Sequence, residues 1–327
     1  MKPTPWILRS RVTAAAVAAL TALSLASCSS SSNNSGASMS LRVSTLPIAD
    51  LGAYFYALDS GLFKKAGLSV KDTSSTGGAA SISAMLSGSV DIAYSGSDSV
   101  IKAYAKKLPV RVIAAANNNQ PAGDTDSAGL VVPASIGSPA ELEGKTLATN
   151  ALNNVNQIYT QNYLEKNGVD PKKVKFVEVP FPEQVAALKA GRIFGTLLPE
   201  PFMSQAVAGG LKVLGLPYRS ATGGTAPVAS WVSSTKVLGQ HDKAIAAFVK
   251  TMKTADAAAN DPANRPALVK ALLNHTKLTQ AVASKITLVQ YTNAVDTQRL
   301  KDLADLLVKY GVLKESPDLS GMISTPK

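Results

Sequence analysis

A helix–glycine–strand unit occurs twice in this 327-residue chain, at a separation of 103 residues. The segments ISAMLSGSVDIAYSGSD (82–98) and VAALKAGRIFGTLLPEP (185–201) align so that Gly88 matches Gly191. In each copy, apolar residues at helical spacing precede a glycine that can end the helix, and a short apolar run typical of a buried strand follows. The repeat indicates two lobes of like topology, although generic helix–glycine–strand patterning would also produce such a match.

Polar residues border the first copy at both ends. Thr76-Gly77-Gly78 can start the helix while leaving backbone N–H groups free, and a polar turn at 95–98 follows the strand at 90–94. Ligands of open α/β sheets bind where strands end and helices begin. We therefore expect one side of a ligand site here.

Strands alternate with helices through the first two thirds of the chain. Such alternation is typical of βαβ units and of a mainly parallel sheet. The further predicted strands are 41–46, 68–72, 110–116, 145–149, 174–179, 193–198 and 228–233. After the last of these the chain becomes mainly helical, and we expect its helices to pack onto the first lobe.

The N-terminus has the pattern of an export signal. Lys2, Arg9 and Arg11 precede an apolar segment at 12–26, which is shorter than the roughly 20 residues of a membrane-spanning helix. The segment ends in Leu25-Ala26-Ser27-Cys28, which resembles the lipobox of bacterial lipoproteins; the alternative is a plain secretory signal with a chance cysteine. We predict a signal peptide at 1–27, lipidation of Cys28 and a flexible Ser/Asn-rich tether at 28–40.

Composition excludes several classes of protein. Cys28 is the only cysteine, and His241 and His275 are the only histidines, without partners at zinc or catalytic spacing. Removing the three basic residues of the signal lowers the formal net charge from +11 to +8. The remaining basic residues are scattered, which indicates a solvated face or attraction to anionic lipid rather than nucleic-acid binding. We predict no catalytic residue, no metal and no cofactor.

Four motifs resemble one family of transport proteins. They are YALDSGLFKKAGLSV (56–70), GGAASISAMLSGSVDIAYSG (77–96), PEPF (199–202) and LADLLVKYGVL (303–313). With the lipobox, they make residues 41–323 similar to the solute-binding lipoproteins of ABC importers in the nitrate/sulfonate/taurine (SsuA/THI5-like) group. The resemblance implies an α/β, two-lobe type II periplasmic-binding-protein fold, in which each lobe is a mainly parallel sheet flanked by helices and the ligand cleft lies between the lobes.

The same resemblance implies domain limits and excludes one activity. Lobe 1 would comprise 41–133 and 227–327, and lobe 2 would comprise 134–226. The chain departs from the family pattern at Phe194, where an aspartate usually stands, as Asp91 does in the first copy. It also lacks the cysteine-rich motif of the thiamine-precursor synthases that share this fold, so we do not expect their activity.

The resemblance also places the ligand site, position by position, at strand ends and helix starts. The expected ligand-binding residues are Pro47, Asp50, Tyr54, Gly77, Gly78, Ala79, Ala80, Ser81, Ser97, Asp98, Asn117, Asn153, Asn154, Asn156, Glu200 and Trp231. Structural roles are the alternative for several of them. The two glycines would allow close helix–strand packing, the asparagines would cap a helix, and Trp231 would lie in the core.

Two kinds of polar group in this expected site favour different ligands. Helix N-termini suit an oxyanion such as a sulfonate or nitrate. Placing the carboxylates of Asp98 and Glu200 opposite an anion would cost free energy unless each is paired. The two residues therefore slightly favour a nitrogenous ligand such as a pyrimidine. The sequence leaves the choice open.

The sequence thus predicts a monomeric, lipid-anchored binding protein on the extracytoplasmic face of the cell membrane. It would capture a small solute by lobe closure and deliver it to the permease and ATPase subunits of an ABC importer. The alternative is a surface-tethered enzyme on the same fold that acts on a pyrimidine and would need a general base such as Asp98. The effector lobe of a transcription regulator would need a helix-turn-helix where this chain has an export signal.

Overall fold

A computed structural model describes residues 39–120, 123–283 and 285–324 of the protein. The predicted signal peptide, Cys28 and the tether up to residue 38 lie outside these residues. No helix in the described ranges is long and apolar enough to cross a membrane.

Eleven strands occur in the described ranges. In chain order they are β1 (Met39–Thr45), β2 (Leu68–Ser74), β3 (Ile92–Gly96), β4 (Val110–Asn118), β5 (Ala128–Val132), β6 (Thr146–Thr149), β7 (Lys175–Glu178), β8 (Gly195–Pro199), β9 (Lys212–Gly215), β10 (Pro227–Ser234) and β11 (Gln290–Tyr291).

Thirteen α-helices occur in the same ranges. They are α1 (Gly52–Asp59), α2 (Leu62–Lys65), α3 (Gly78–Leu86), α4 (Ser97–Ala105), α5 (Val155–Lys166), α6 (Phe181–Lys189), α7 (Phe202–Ala208), α8 (Pro217–Thr222), α9 (Thr235–Gln240), α10 (Asp242–Asn260), α11 (Arg265–His275), α12 (Gln280–Ala283) and α13 (Thr297–Lys309). Short 3-10 turns occupy Ala49–Leu51, Pro139–Leu142, Pro171–Lys173 and Pro262–Asn264.

The strands form two sheets of like topology. The first has the order β11-β4-β10-β3-β1-β2 and the second the order β7-β6-β8-β5-β9. In each sheet, one strand (β1 or β6) pairs in parallel with both of its neighbours, and another (β10 or β5) is antiparallel to both of its neighbours. This is the two-lobe α/β arrangement that the sequence predicted.

The internal repeat is present in the structure. Helix α3 and strand β3 begin and end 103 residues before α6 and β8, respectively. Both glycines of the aligned pair have a positive φ, 79° at Gly88 and 66° at Gly191, which is the left-handed conformation expected after a helix. The repeated sequence therefore encodes the same helix–strand unit at the equivalent interior position of each sheet.

Two details of the sequence prediction are wrong. Residues 95–98 are not a turn, because β3 continues to Gly96 and α4 begins at Ser97. Strand β5 pairs with β8 and β9 in the second sheet, so the chain enters the second lobe before residue 128 rather than after residue 133. A strand that joins the sheet of the other lobe has the same local pattern as one that stays, and its partner is fixed only by the whole fold.

The two segments that cross between the sheets are bonded to each other. Asn119 in the first crossing donates to the carboxylate of Asp126 (2.9 Å), and Asp126 also accepts from the backbone N–H of Ser127 (2.8 Å). Arg219, in α8 of the second crossing, donates to the carbonyl oxygens of Gly123 and Thr125 in the first. The two crossings are therefore hydrogen-bonded to each other.

Candidate ligand-binding cleft

A cavity of about 60 Å³ lies between the two sheets, where β1, β3 and β8 end and helices from both lobes begin. A single water molecule needs roughly 10–15 Å³ by the same measure, so the cavity suits a solute of few non-hydrogen atoms. Its lining residues are Leu46, Ile48, Asp50, Gly78, Ala79, Tyr94, Gly96, Asp98, Ser99, Asn150, Ala151, Asn154, Val155, Asn156, Phe181, Pro199, Tyr218, Val228 and Ala229.

The N-termini of α3 and α5 face each other across this cleft. A Cβ placed on Gly77 would lie 3.5 Å from the Nδ2 atom of Asn150, which precedes α5. Neither helix has an acidic residue in its first turn. The first N–H groups of a helix have no partner within the helix, and the helix dipole makes this end positive. The cleft is therefore lined from both lobes by groups that attract an oxyanion.

Close packing of α3 on β3 places the N-terminus of α3 at the cleft. A Cβ on Gly78 would lie 2.6 Å from the Oγ atom of Ser95 and 2.7 Å from the backbone nitrogen of Gly96. Any side chain at Gly78 would push the start of α3 away from the strand end. The close-packing role that the sequence left as an alternative thus holds for Gly78, which also lines the cavity.

An amide network fixes the start of α5. Asn154 is its N-cap, with Oδ1 accepting from the backbone N–H of Gln157 (3.1 Å) and from the hydroxyl of Thr149 (2.8 Å). Oδ1 of Asn150 accepts from the amide nitrogens of Asn154 (2.7 Å) and Asn156 (3.2 Å). These bonds orient both amides in the cavity wall, so Asn154 caps the helix and lines the cavity at once.

Asp98 lies in the first turn of α4, and Lys102 balances its charge. The Oδ2 atom of Asp98 is 2.9 Å from the Nζ atom of Lys102 and accepts a hydrogen bond from Ser99 (2.9 Å). Its Oδ1 atom is buried without a hydrogen-bond partner. Lys102 also donates to the backbone oxygen of Asn153 (2.6 Å) in the other lobe. This side of the cleft therefore has an ion pair and a bond between the lobes.

Asp50 is the second carboxylate of the cavity wall, and it has no basic partner among the residues that the structure describes. It is 6% exposed, and its Oδ1 atom makes no hydrogen bond. Burial raises the pKa of Asp50 from 3.8 to about 7, and the nearby acids Asp126 and Glu200 raise it as well. Asn117 donates to the backbone oxygen of Asp50 (3.1 Å) and to the hydroxyl of Tyr94 (3.0 Å).

Two aromatic residues expected at the site lie in the core instead. Trp231 is 1% exposed, with its ring 5.3 Å from that of Tyr54 and 5.2 Å from that of Phe248. The hydroxyl of Tyr54 donates to Asp72 (3.1 Å), away from the cavity. The prediction that these rings line the cleft is wrong because they fill the space between the first sheet and helices α1 and α10.

Glu200 also does not line the cavity. Its carboxylate accepts from the hydroxyl (2.7 Å) and the backbone N–H (3.0 Å) of Ser204, and so satisfies the start of α7. Burial raises the pKa of Glu200 against these bonds. The remaining expected residues that lie beside the cavity without lining it are Pro47, Gly77, Ala80, Ser81, Ser97, Asn117 and Asn153.

Several lining residues are absent from the sequence prediction, and some could have been found. Adding the offset of 103 residues to Gly78 and Gly96 gives Phe181 and Pro199, and both line the cavity. Tyr94 lies within the predicted strand beside the expected turn. Tyr218 had no sequence signal, because it belongs to a short helix in the second crossing.

Potential metal ligands do not cluster in the described part of the chain. No group of three or more His, Cys, Asp or Glu side chains in those ranges is placed to hold a metal ion. The absence of a metal site and of a cofactor stays a prediction.

The two sheets and the cavity between them have the two-lobe arrangement that the sequence predicted. A family model described as NMT1/THI5 like matches residues 49–265, which is more than half of the chain, and the chain belongs to this family. This confirms the resemblance stated from the motifs.

Individual proteins and solved structures are also similar to this chain. The chain is 27% identical over 198 residues to a taurine-binding periplasmic protein of Escherichia coli (strain K12), a match that covers 59% of this chain and 58% of that protein. The alkanesulfonate-binding protein SsuA from Xanthomonas axonopodis pv. citri, bound to MOPS, is similar with a TM-score of 0.73 at 16% identity, over 88% of this chain and 98% of that one. The periplasmic nitrate-binding protein NrtA from Synechocystis PCC 6803 is similar with a TM-score of 0.73 at 15% identity, over 86% of this chain and 83% of that one. At such identities the structural likeness establishes the fold alone.

Proposed function

We propose that this protein is the extracytoplasmic solute-binding component of an ABC importer and that it captures a small solute bearing an oxyanion, of the sulfonate, taurine or nitrate kind. The observation that carries the proposal is the pair of facing N-termini of α3 and α5, in a cavity whose described lining contains no lysine or arginine. Backbone N–H groups and helix dipoles would then bind the anion, as they do at other helix starts. The relatives that bind taurine, alkanesulfonates and nitrate support the same choice.

A pyrimidine of the thiamine-precursor kind is the second candidate. The unpartnered oxygens of Asp50 and Asp98 in the cavity wall favour it, since a carboxylate accepts well from a ring N–H or an amine. The small cavity favours the oxyanion solute. Turnover of a pyrimidine by the protein would instead support the enzyme alternative.

Binding would proceed by closure of the two lobes on the solute. Two bonds between the lobes support this mechanism: Lys102 to the carbonyl of Asn153 (2.6 Å), and the backbone N–H of Ala49 to the carbonyl of Glu200 (2.9 Å). Such bonds form only when the lobes are together, and a solute that contacts both lobes favours this state. The closed protein would deliver the solute to its permease and ATPase partners as a monomer.

Blocking the cavity should abolish binding without unfolding the protein. Ala79 lines the cavity and is exposed at the start of α3, so Ala79→Phe would place a ring at the cleft and bury nothing in the core. We expect wild-type protein to be stabilised thermally by at least one of taurine, ethanesulfonate, nitrate or an aminopyrimidine. We expect Ala79→Phe to lose that stabilisation.

The matched control is Ser83→Phe, which places the same ring one turn further along α3, at an exposed position outside the cavity lining. It should keep the wild-type response. Absence of any response in wild-type protein across this panel would contradict the proposed function.

A further inference from the structure

We propose that the cleft contains a cation subsite formed by Asp50, Tyr94 and Tyr218, and that the solute is therefore a zwitterion with an amine at one end and an oxyanion at the other. This inference rests on the proposed function, and it narrows the class of solute. Three observations carry it: the unpaired charge of Asp50, the aromatic walls beside it, and the separate balancing of Asp98.

Asp50 has no counter-ion within the described part of the protein. The ionisable groups that act on it are the acids Asp126 and Glu200. The neighbouring phenols of Tyr94, Tyr218 and Tyr291 all have a pKa raised by burial, so they stay neutral. A buried carboxylate without a partner is costly, and a cation on the ligand is the group that would remove this cost.

Tyr94 and Tyr218 line the cavity together with Asp50. The hydroxyl of Tyr94 accepts from Asn117, and the hydroxyl of Tyr218 donates to Asn156. These bonds fix both hydroxyl groups within the protein. The rings can therefore serve as apolar, electron-rich surfaces for an ammonium group, as aromatic residues do in other cation sites.

Asp98 does not provide an equivalent subsite. Lys102 already neutralises it at 2.9 Å, and Asp98 lies in the first turn of α4, where a negative charge is favourable. The anionic end of the solute would then lie at the starts of α3 and α5, which have no acidic residue of their own. The small cavity requires a short spacer between the two charged ends.

Taurine and ethanesulfonate test the proposal, because they share the sulfonate and the two-carbon chain and differ in the amine. We expect titration calorimetry to show wild-type protein binding taurine about tenfold or more tightly than ethanesulfonate. Asp50→Asn should weaken taurine binding by about the same factor and leave ethanesulfonate binding unchanged or stronger. Asp50→Glu, which keeps the charge, should retain the preference for taurine.

Asp242→Asn is the control, because it removes one acidic charge from an exposed position at the start of α10. It should bind both probes as wild type does, and thermal unfolding of each variant checks folding. Equal affinity of wild-type protein for the two probes would overturn the cation subsite while leaving the proposed function intact. Equal weakening of both probes by Asp50→Asn would overturn the subsite as well. Failure of every solute in the broader panel to bind would overturn the proposed function and this inference together.

Discussion

Asp50 is the residue on which the proposed cation subsite depends. Asp50 lines the cavity, and burial raises the pKa of its carboxyl to about 7. The group therefore changes charge near neutral pH, whereas an ordinary aspartate is fully ionised there. Solutes with and without an amine should respond to this change in opposite directions.

Affinity should depend on pH with a sign set by the solute. Below about pH 7, Asp50 is mostly protonated; above it, Asp50 is ionised and attracts an amine. Taurine affinity should therefore rise between about pH 6 and about pH 8, and ethanesulfonate affinity should fall, because the ionised carboxylate repels the sulfonate. Calorimetry of both probes across this range measures the effect. Asp50→Asn should flatten both profiles, and parallel profiles in wild-type protein would contradict the assignment.

At this scale the sequence predicted part of the cavity wall. Gly78, Ala79, Asp98, Asn154 and Asn156 follow from the rule that ligands lie at strand ends and helix starts, and all line the cavity. The rule does not say which way an aromatic ring points. From the sequence, Tyr54 and Trp231 could each stack on a ligand or pack in the core. Only the packing of α1 and α10 on the sheet distinguishes these two roles.

The residue before the strand of each repeat copy contacts a basic side chain, but the interaction differs between the two copies. In the first lobe, Asp91 before β3 forms an ion pair with Arg42 of β1 (2.6 Å). At the matching position of the second lobe, Phe194 precedes β8. The Nζ atom of Lys145 lies over its ring, 4.8 Å from the ring centroid. A cation–π contact thus replaces the ion pair, which explains how the second copy tolerates the loss of the aspartate.

Helix α4 connects the cavity to the opposite lobe through Lys102. Replacing this residue by methionine would remove both the counter-ion of Asp98 and the bond to the carbonyl of Asn153. Lys102→Met should therefore weaken ethanesulfonate binding by about tenfold or more, since a charge-assisted bond between the lobes is lost and Asp98 stays unbalanced near the anion. Calorimetry measures the change.

Lys106→Met is the matched control, because Lys106 is an exposed lysine directly after the same helix. It should bind as wild type does. Unchanged affinity in Lys102→Met would show that the bond between the lobes contributes nothing to binding.

Most elements could be predicted because their boundaries have local causes. The glycine after α3 and the asparagine cap of α5 are examples. Helix α4 was missed because its start, Ser97-Asp98-Ser99, has the composition of a turn. The same residues are equally typical of a helix start, because an acidic residue is favourable in the first turn of a helix.

At the scale of the whole molecule, the sequence predicts attachment to a membrane through Cys28. Cys28→Ser removes the thiol to which the lipid would be joined, so the protein should move from the membrane fraction to the soluble extracytoplasmic fraction. Fractionation of cells with detection of the protein measures this. The binding affinity for solute should be unchanged, because Cys28 precedes in sequence every residue that lines the cavity. Retention of the variant in the membrane fraction would contradict lipid anchoring.

The repeat predicted two lobes but not the exchange of strands between them. β10 returns from the second lobe and inserts between β3 and β4, and β5 leaves the first lobe to pair with β8. Such pairings join residues far apart in the sequence, and no local pattern encodes them. The bonded crossings around Asn119, Asp126 and Arg219 follow from the same exchange, since both segments must pass the same point behind the cleft.

The buried Trp231 of the first lobe is an intrinsic fluorophore close to the cavity. The chain contains two tryptophans, and the predicted removal of the signal peptide leaves only Trp231. Its indole is 5.5 Å from the ring of Tyr94, whose own ring forms part of the cavity wall. Light emitted by this one buried indole therefore comes from a point one side chain away from the solute. With excitation at wavelengths that the tyrosines do not absorb, fluorescence can follow solute capture in real time with no label attached.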